Sequence, residues 1–110
     1  MPIYGGTYTN FSDRRLKKDI RPVTGGLAAI MRLRPVDFTW RSDGMLDSGF
    51  VAQDVKPVIP RAVRVLPGKQ HYLGVSYNAV TATLVKAVQE QQAEIADLKH
   101  EVALLRKEAR

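Results

Sequence analysis

Between Leu84 and Leu105 the chain places Leu84, Val88, Gln91, Ile95, Leu98, Val102 and Leu105 at alternating steps of four and three. That is the a/d seam of a heptad helix, and Tyr77 and Thr81 extend it backwards. No glycine or proline occurs between Ser76 and Arg110, so the pattern predicts one uninterrupted helix from Tyr77 onward. Valine and isoleucine occupy the a positions and leucine most d positions, with Gln91 as a polar layer that can fix register at some cost in stability. Glu94 and Glu101 at g each precede a base at e, Lys99 and Arg106, by five residues. In a parallel coil such pairs meet across the interface. A seam this narrow suits a helical partner better than a flat core, the alternative being a helix folded back on its own domain.

Upstream the pattern is shorter and more broken. Ile3, Tyr4, Thr7, Tyr8, Thr9 and Phe11 favour an extended segment interrupted at Gly5-Gly6, read as the end of something larger. Thr24 offers a cap for a short helix whose apolar face is Leu27, Ile30, Met31 and Leu33, with Ala28 beside them, and Pro35 ends it. Val36, Phe38 and Trp40 then alternate with Asp37, Thr39 and Arg41, the period of a half-buried strand. Ser42-Asp43-Gly44 is turn chemistry, and Gln53 to Val58 makes a helical turn before Pro60. Val63 and Val65 predict a second strand, Pro67-Gly68-Lys69-Gln70 a hairpin loop, and His71 to Val75 a third strand. Phe38, Trp40, Phe50 and Tyr72 are the expected aromatic core. The fold class is thus α+β: a small globular domain of short helices and a few antiparallel strands, followed by a long C-terminal coiled-coil helix. The expected divisions are 1–11 as the end of an upstream segment, 12–76 as the globular domain and 77–110 as the coil.

Composition narrows the function classes. The 110 residues suit one small domain whose modest core calls for oligomerisation. With no cysteine, disulfides and thiolate metal sites are excluded, and His71 and His100 show no ligand spacing. No metal or cofactor is expected. No apolar run approaches the ~20 residues of a membrane span, and Met1 to Asn10 does not read as a signal peptide, so a soluble protein without a membrane partner is expected. The net charge of +6 fits either an acidic partner such as nucleic acid or a solvated arginine surface. A basic zipper needs a continuous basic helix running into its heptads, and Pro57, Pro60, Pro67, Gly68 and Gly74 stand in the way. Nucleic acid is therefore not the expected partner, although Arg14, Arg15, Lys17, Lys18 and Arg21 could touch phosphate non-specifically.

The candidate chemistry lies in Ser12-Asp13-Arg14-Arg15-Leu16-Lys17. A serine hydroxyl becomes a nucleophile when a neighbouring base takes its proton, and a lysine amine can be that base when its charged form is destabilised. Five residues is the wrong phase for one face of a helix or strand, so Ser12 and Lys17 can meet only across a turn or bend. The alternative is Ser12 as a helix cap, with Asp13 in the first turn and Lys17 solvated.

Four blocks in order carry a resemblance. They are Ser12 to Ile20 (Ser-Asp-Arg-Arg-Leu-Lys-Lys-Asp-Ile), Leu33-Arg34-Pro35-Val36 with Phe38 and Trp40, Gly49-Phe50-Val51-Ala52-Gln53-Asp54-Val55, and Tyr72-Leu73-Gly74-Val75-Ser76-Tyr77 leading into the long helix. Together they resemble the C-terminal intramolecular chaperone domain of phage tailspikes and tail fibres, the self-cleaving peptidase S74 family best known from endosialidases. The resemblance implies a homotrimer that holds three chains together while an upstream stalk folds, in the host cytoplasm during phage assembly. It also implies release by a cut between Phe11 and Ser12, with Ser12 as nucleophile and Lys17 as general base. Assembly of the pair only in the folded oligomer would make the cut report completed assembly, a hypothesis that cleavage by a folding-defective monomer would sink. The trimer stands against the a/d composition, which leans towards a dimer. A trimerisation module that never cuts and stays on the virion fibre tip is the rival reading.

Overall fold

The computed structural model describes residues 10–109, so the expected extended segment lies outside it but for Asn10 and Phe11. A short 3-10 turn at Arg14–Leu16 is followed by helix α1 (Leu27–Ile30), strands β1 (Val36–Thr39) and β2 (Leu46–Gly49), and helix α2 (Ala52–Val55). A second 3-10 turn at Pro60–Ala62 leads into β3 (Val63–Val65), β4 (Leu73–Val75) and the long helix α3 (Tyr77–Glu108). The class is α+β, with short antiparallel strands and one long C-terminal helix, as the hydrophobic pattern predicts.

Among the described residues four strands form where the pattern predicts three. They make two separate antiparallel hairpins, with Val36 opposite Gly49 in the first and Val63 opposite Val75 in the second. The unpredicted strand, Leu46-Asp47-Ser48-Gly49, has no apolar alternation, and its first three residues are exposed. Its backbone pairing with β1 is reinforced by side chains instead: the Ser48 hydroxyl donates to Asp37 Oδ1 at 2.6 Å, and the Trp40 indole N–H donates to Asp47 Oδ2 at 3.1 Å.

Val55, Ile59, Ala62 and Val80 are the buried centre, with Leu33, Phe50, Val63 and Val75 among the half-buried residues around them. This corrects the expected aromatic core. Phe38 and Phe50 are half-buried, but Trp40 and Tyr72 are exposed, just outside the strand ends, and the buried centre is made of aliphatics. The chain exposes 9939 Å², where a compact protein of 12.3 kDa exposes about 6,100 Å².

Helix α3 is capped by Ser76, whose hydroxyl accepts from the Ala79 N–H at 3.3 Å and so satisfies one of the free donors of the first turn. Two faces of α3 do different work. Val80, Thr83 and Ala87 are buried against the domain, and half-buried Glu90 continues their row. The seam lies on another face and stays uncovered over its whole length, from Leu84 at 47% exposure to Leu105 at 64%. The helix thus does fold onto its own domain over its first turns, by a row other than the predicted seam.

Candidate active site

Asp13 builds the turn that carries the site. Its backbone is extended and its Oδ1 accepts from the Arg15 N–H at 2.8 Å, capping the 3-10 turn in the role the sequence reading gave to Ser12. The Arg15 guanidinium closes on the same carboxylate, with Nε at 3.1 Å from Oδ1 and a terminal nitrogen at 2.9 Å from Oδ2. That side-chain pairing, joined by the backbone bond, holds the Asp13 carboxyl below its ordinary 3.8 and raises the Arg15 guanidinium in turn. The Leu16 and Lys17 N–H groups donate to the carbonyls of Asp13 and Arg14, both at 3.0 Å.

The turn brings the ends of the hexapeptide together. Lys17 returns to extended backbone, and its Nζ lies 2.7 Å from Ser12 Oγ. A hydroxyl and an amine in direct contact, next to the Phe11–Ser12 peptide bond, have the geometry of a nucleophile and its proton acceptor once the amine is neutral. The contact forms within one chain. The turn is local, and Asp13 with Arg15 holds it. Every residue from Phe11 to Pro22 is exposed.

Other residues fall apart from this pair. Phe11, expected at the cleavage site, is 94% exposed and stands free of the core. The residues expected to mediate oligomerisation, Leu84, Val88, Gln91, Ile95, Leu98, Val102 and Leu105, share the uncovered face of α3, where Lys99 and Arg106 flank a shallow open groove along Ile95, Leu98 and Val102. Among the described residues no group of His, Cys, Asp or Glu is arranged to hold a metal, and no helix is long and apolar enough to cross a membrane.

Sequence reasoning missed the groups that tie this segment to the fold. Thr24 does not cap α1. Its hydroxyl and carbonyl oxygens accept from Arg61 at 3.4 and 3.3 Å, and the N–H of Leu27 donates instead to Glu90 Oε1 at 2.8 Å. That cap comes from a residue 63 positions away, so no local pattern announces it.

Residues 12–64 match the model of a family described as Peptidase S74, chaperone of endosialidase. The match includes the Ser12–Lys17 turn, both strands of the first hairpin and α2, and stops before β4 and the long helix. No curated protein matches the chain.

Proposed function

From the membership of residues 12–64 in the endosialidase-chaperone family, we propose that this chain is an intramolecular chaperone that trimerises through α3 and then releases itself by cutting between Phe11 and Ser12. The observation that carries the cutting step is the 2.7 Å contact between Lys17 Nζ and Ser12 Oγ, directly beside that peptide bond.

In the proposed chemistry the neutral Lys17 amine takes the Ser12 hydroxyl proton, and Oγ attacks the Phe11 carbonyl carbon. The tetrahedral intermediate collapses with the Ser12 nitrogen as leaving group, which takes a proton from the Lys17 ammonium. Phe11 is then held as an ester on Ser12 Oγ, and water hydrolyses that ester to give a Phe11 carboxylate and a chain beginning at Ser12. The attack is within one chain, so positioning supplies much of the acceleration. The N–H groups of Arg15, Leu16 and Lys17 are engaged within the turn, so oxyanion stabilisation falls to other donors. The exposure of the whole segment in one chain supports a switch in which assembly shields and completes a pair already in contact.

Trimerisation rests on the uncovered seam. Leu84, Val88, Ile95, Leu98, Val102 and Leu105 form an apolar stripe, broken by Gln91, that water does not favour, and the heptad pattern sets Glu94 and Glu101 to meet Lys99 and Arg106 of neighbouring copies. The partners are two further copies and the upstream fibre or tailspike segment of the same polypeptide, in the host cytoplasm during phage assembly. The chaperone role is tested by producing an upstream fibre segment with and without residues 12–110. The expected result is a heat- and detergent-resistant trimer only when the domain is made in cis. A fibre that assembles equally well without it contradicts the reading.

A further inference from the structure

Helix α3 grips the globular domain through two polar contacts that the proposed cutting chemistry does not use. Thr83, fully buried, donates its hydroxyl to the Ala79 carbonyl at 2.8 Å and accepts from Arg61 at 2.9 Å, while the same guanidinium reaches Thr24. Seven residues further on, Glu90 Oε1 accepts from the Leu27 N–H. Both grips therefore close on one short segment, Thr24 to Leu27, and both come from the row of α3 beside Leu84, Val88 and Gln91.

The segment is shaped for this contact. Gly26 has φ +115°, and a Cβ there would collide with the Glu90 carboxylate. The Leu27 N–H is the first of α1, a helix of four residues with no side-chain cap of its own. A helix so short does not hold itself, and its leading N–H needs an outside acceptor. Only six residues separate Lys17 from Thr24. Among them Pro22 has a fixed φ, and an Arg21 side-chain nitrogen donates to the Asp19 carbonyl at 3.0 Å, so the tether is short and partly stiffened.

We infer that Glu90 is a positioning residue for self-cleavage: by fixing Thr24–Leu27 to the same turns of α3 that bear the seam, it lets the ordered helix set where the Ser12–Lys17 turn sits. This rests on the cutting reading above. Glu90 touches neither reacting group. Its carboxylate works as an acceptor for one N–H, and a neutral amide oxygen of the same reach can do the same work.

The test uses the full chain and three versions of it, parent, Glu90→Ala and Glu90→Gln, with Ser12→Ala as the uncut reference. Intact mass followed in time reads cleavage, amide hydrogen exchange reads residues 24–33, and light scattering reads the oligomeric state. The expected result is a cut roughly tenfold slower in Glu90→Ala, with faster exchange over 24–33 and an unchanged oligomer, and near-parent behaviour in Glu90→Gln. Gly26→Ala, which drives the carboxylate away with Glu90 in place, is expected to copy Glu90→Ala. If Glu90→Ala cuts and exchanges like the parent, the inference falls and the cutting reading stands. If the parent stays as whole as Ser12→Ala, the cutting reading falls, and Glu90 as a positioning residue for it falls too. Exchange over 24–33 then separates the two failures, because a Glu90→Ala loosening rescued by Glu90→Gln leaves the clamp itself in place.

Discussion

Lys17 Nζ sits 2.7 Å from Ser12 Oγ across a turn that Asp13 and Arg15 hold closed. The pairing needs no residue from the rest of the fold. Its consequence is that the two parts of the proposed chemistry, contact and activation, separate: one chain supplies the contact, and in the proposed reading the activating environment is left to assembly.

Replacing Lys17 separates hydrogen bonding from proton transfer. Lys17→Arg keeps a cationic donor within reach of Ser12, but a guanidinium does not deprotonate in proteins and cannot serve as the base. Cutting is expected to fall by on the order of a thousandfold in both Lys17→Arg and Lys17→Ala, with circular dichroism unchanged. Rates by intact mass check this.

The turn has its own signature in acid. The Asp13 carboxyl is held below its ordinary value, first by its side-chain bond from Arg15 and then by the Arg15 N–H. A lowered folded value means that the carboxylate's contribution is present above about pH 3.8 and is lost as pH falls through the folded value. Carbon-detected titration of Asp13 is expected to show a midpoint below 3.8 that moves back up in Arg15→Ala. Asp13→Ala is expected to slow cutting, with Asp13→Asn between it and the parent, because the amide oxygen still accepts from the Arg15 N–H.

Much of this was legible in the residues. The helix begins at Tyr77 as its composition requires, and the prediction that Ser12 and Lys17 meet only across a bend matches the turn found. What escaped was non-local. Strand β2 is held by pairing and by Asp37–Ser48, not by a periodic apolar face. Glu90 reads as an ordinary charge on a helix until Leu27 is placed beside it. Trp40 and Tyr72 lie just beyond the ends of strands, where size and hydrophobicity do not imply burial in a single chain.

The seam should behave as an interface. Leu98→Asp places a charge in the middle of the a/d row and is expected to reduce the oligomer to monomers in sedimentation equilibrium. Gln91→Leu is expected to raise the melting temperature by removing the polar layer and to loosen oligomer specificity. An unchanged mass for Leu98→Asp contradicts assembly through this face.

The core is thin enough for one cavity to matter. Ile59 is 1% exposed, at the centre of the Val55–Ala62–Val80 cluster, and Ile59→Ala is expected to lower stability by about 2–5 kcal/mol. Thermal denaturation of the Ser12→Ala background measures this without interference from cutting.

The most direct measurement is the intact mass of the purified chain beside its Ser12→Ala copy, both carrying a longer upstream segment. The account predicts that the parent loses everything up to Phe11 and begins at Ser12, while Ser12→Ala stays whole. A parent that stays whole as a stable trimer contradicts the cutting step and leaves an assembly clamp. A Ser12→Ala copy cut at the same bond contradicts Ser12 as the nucleophile.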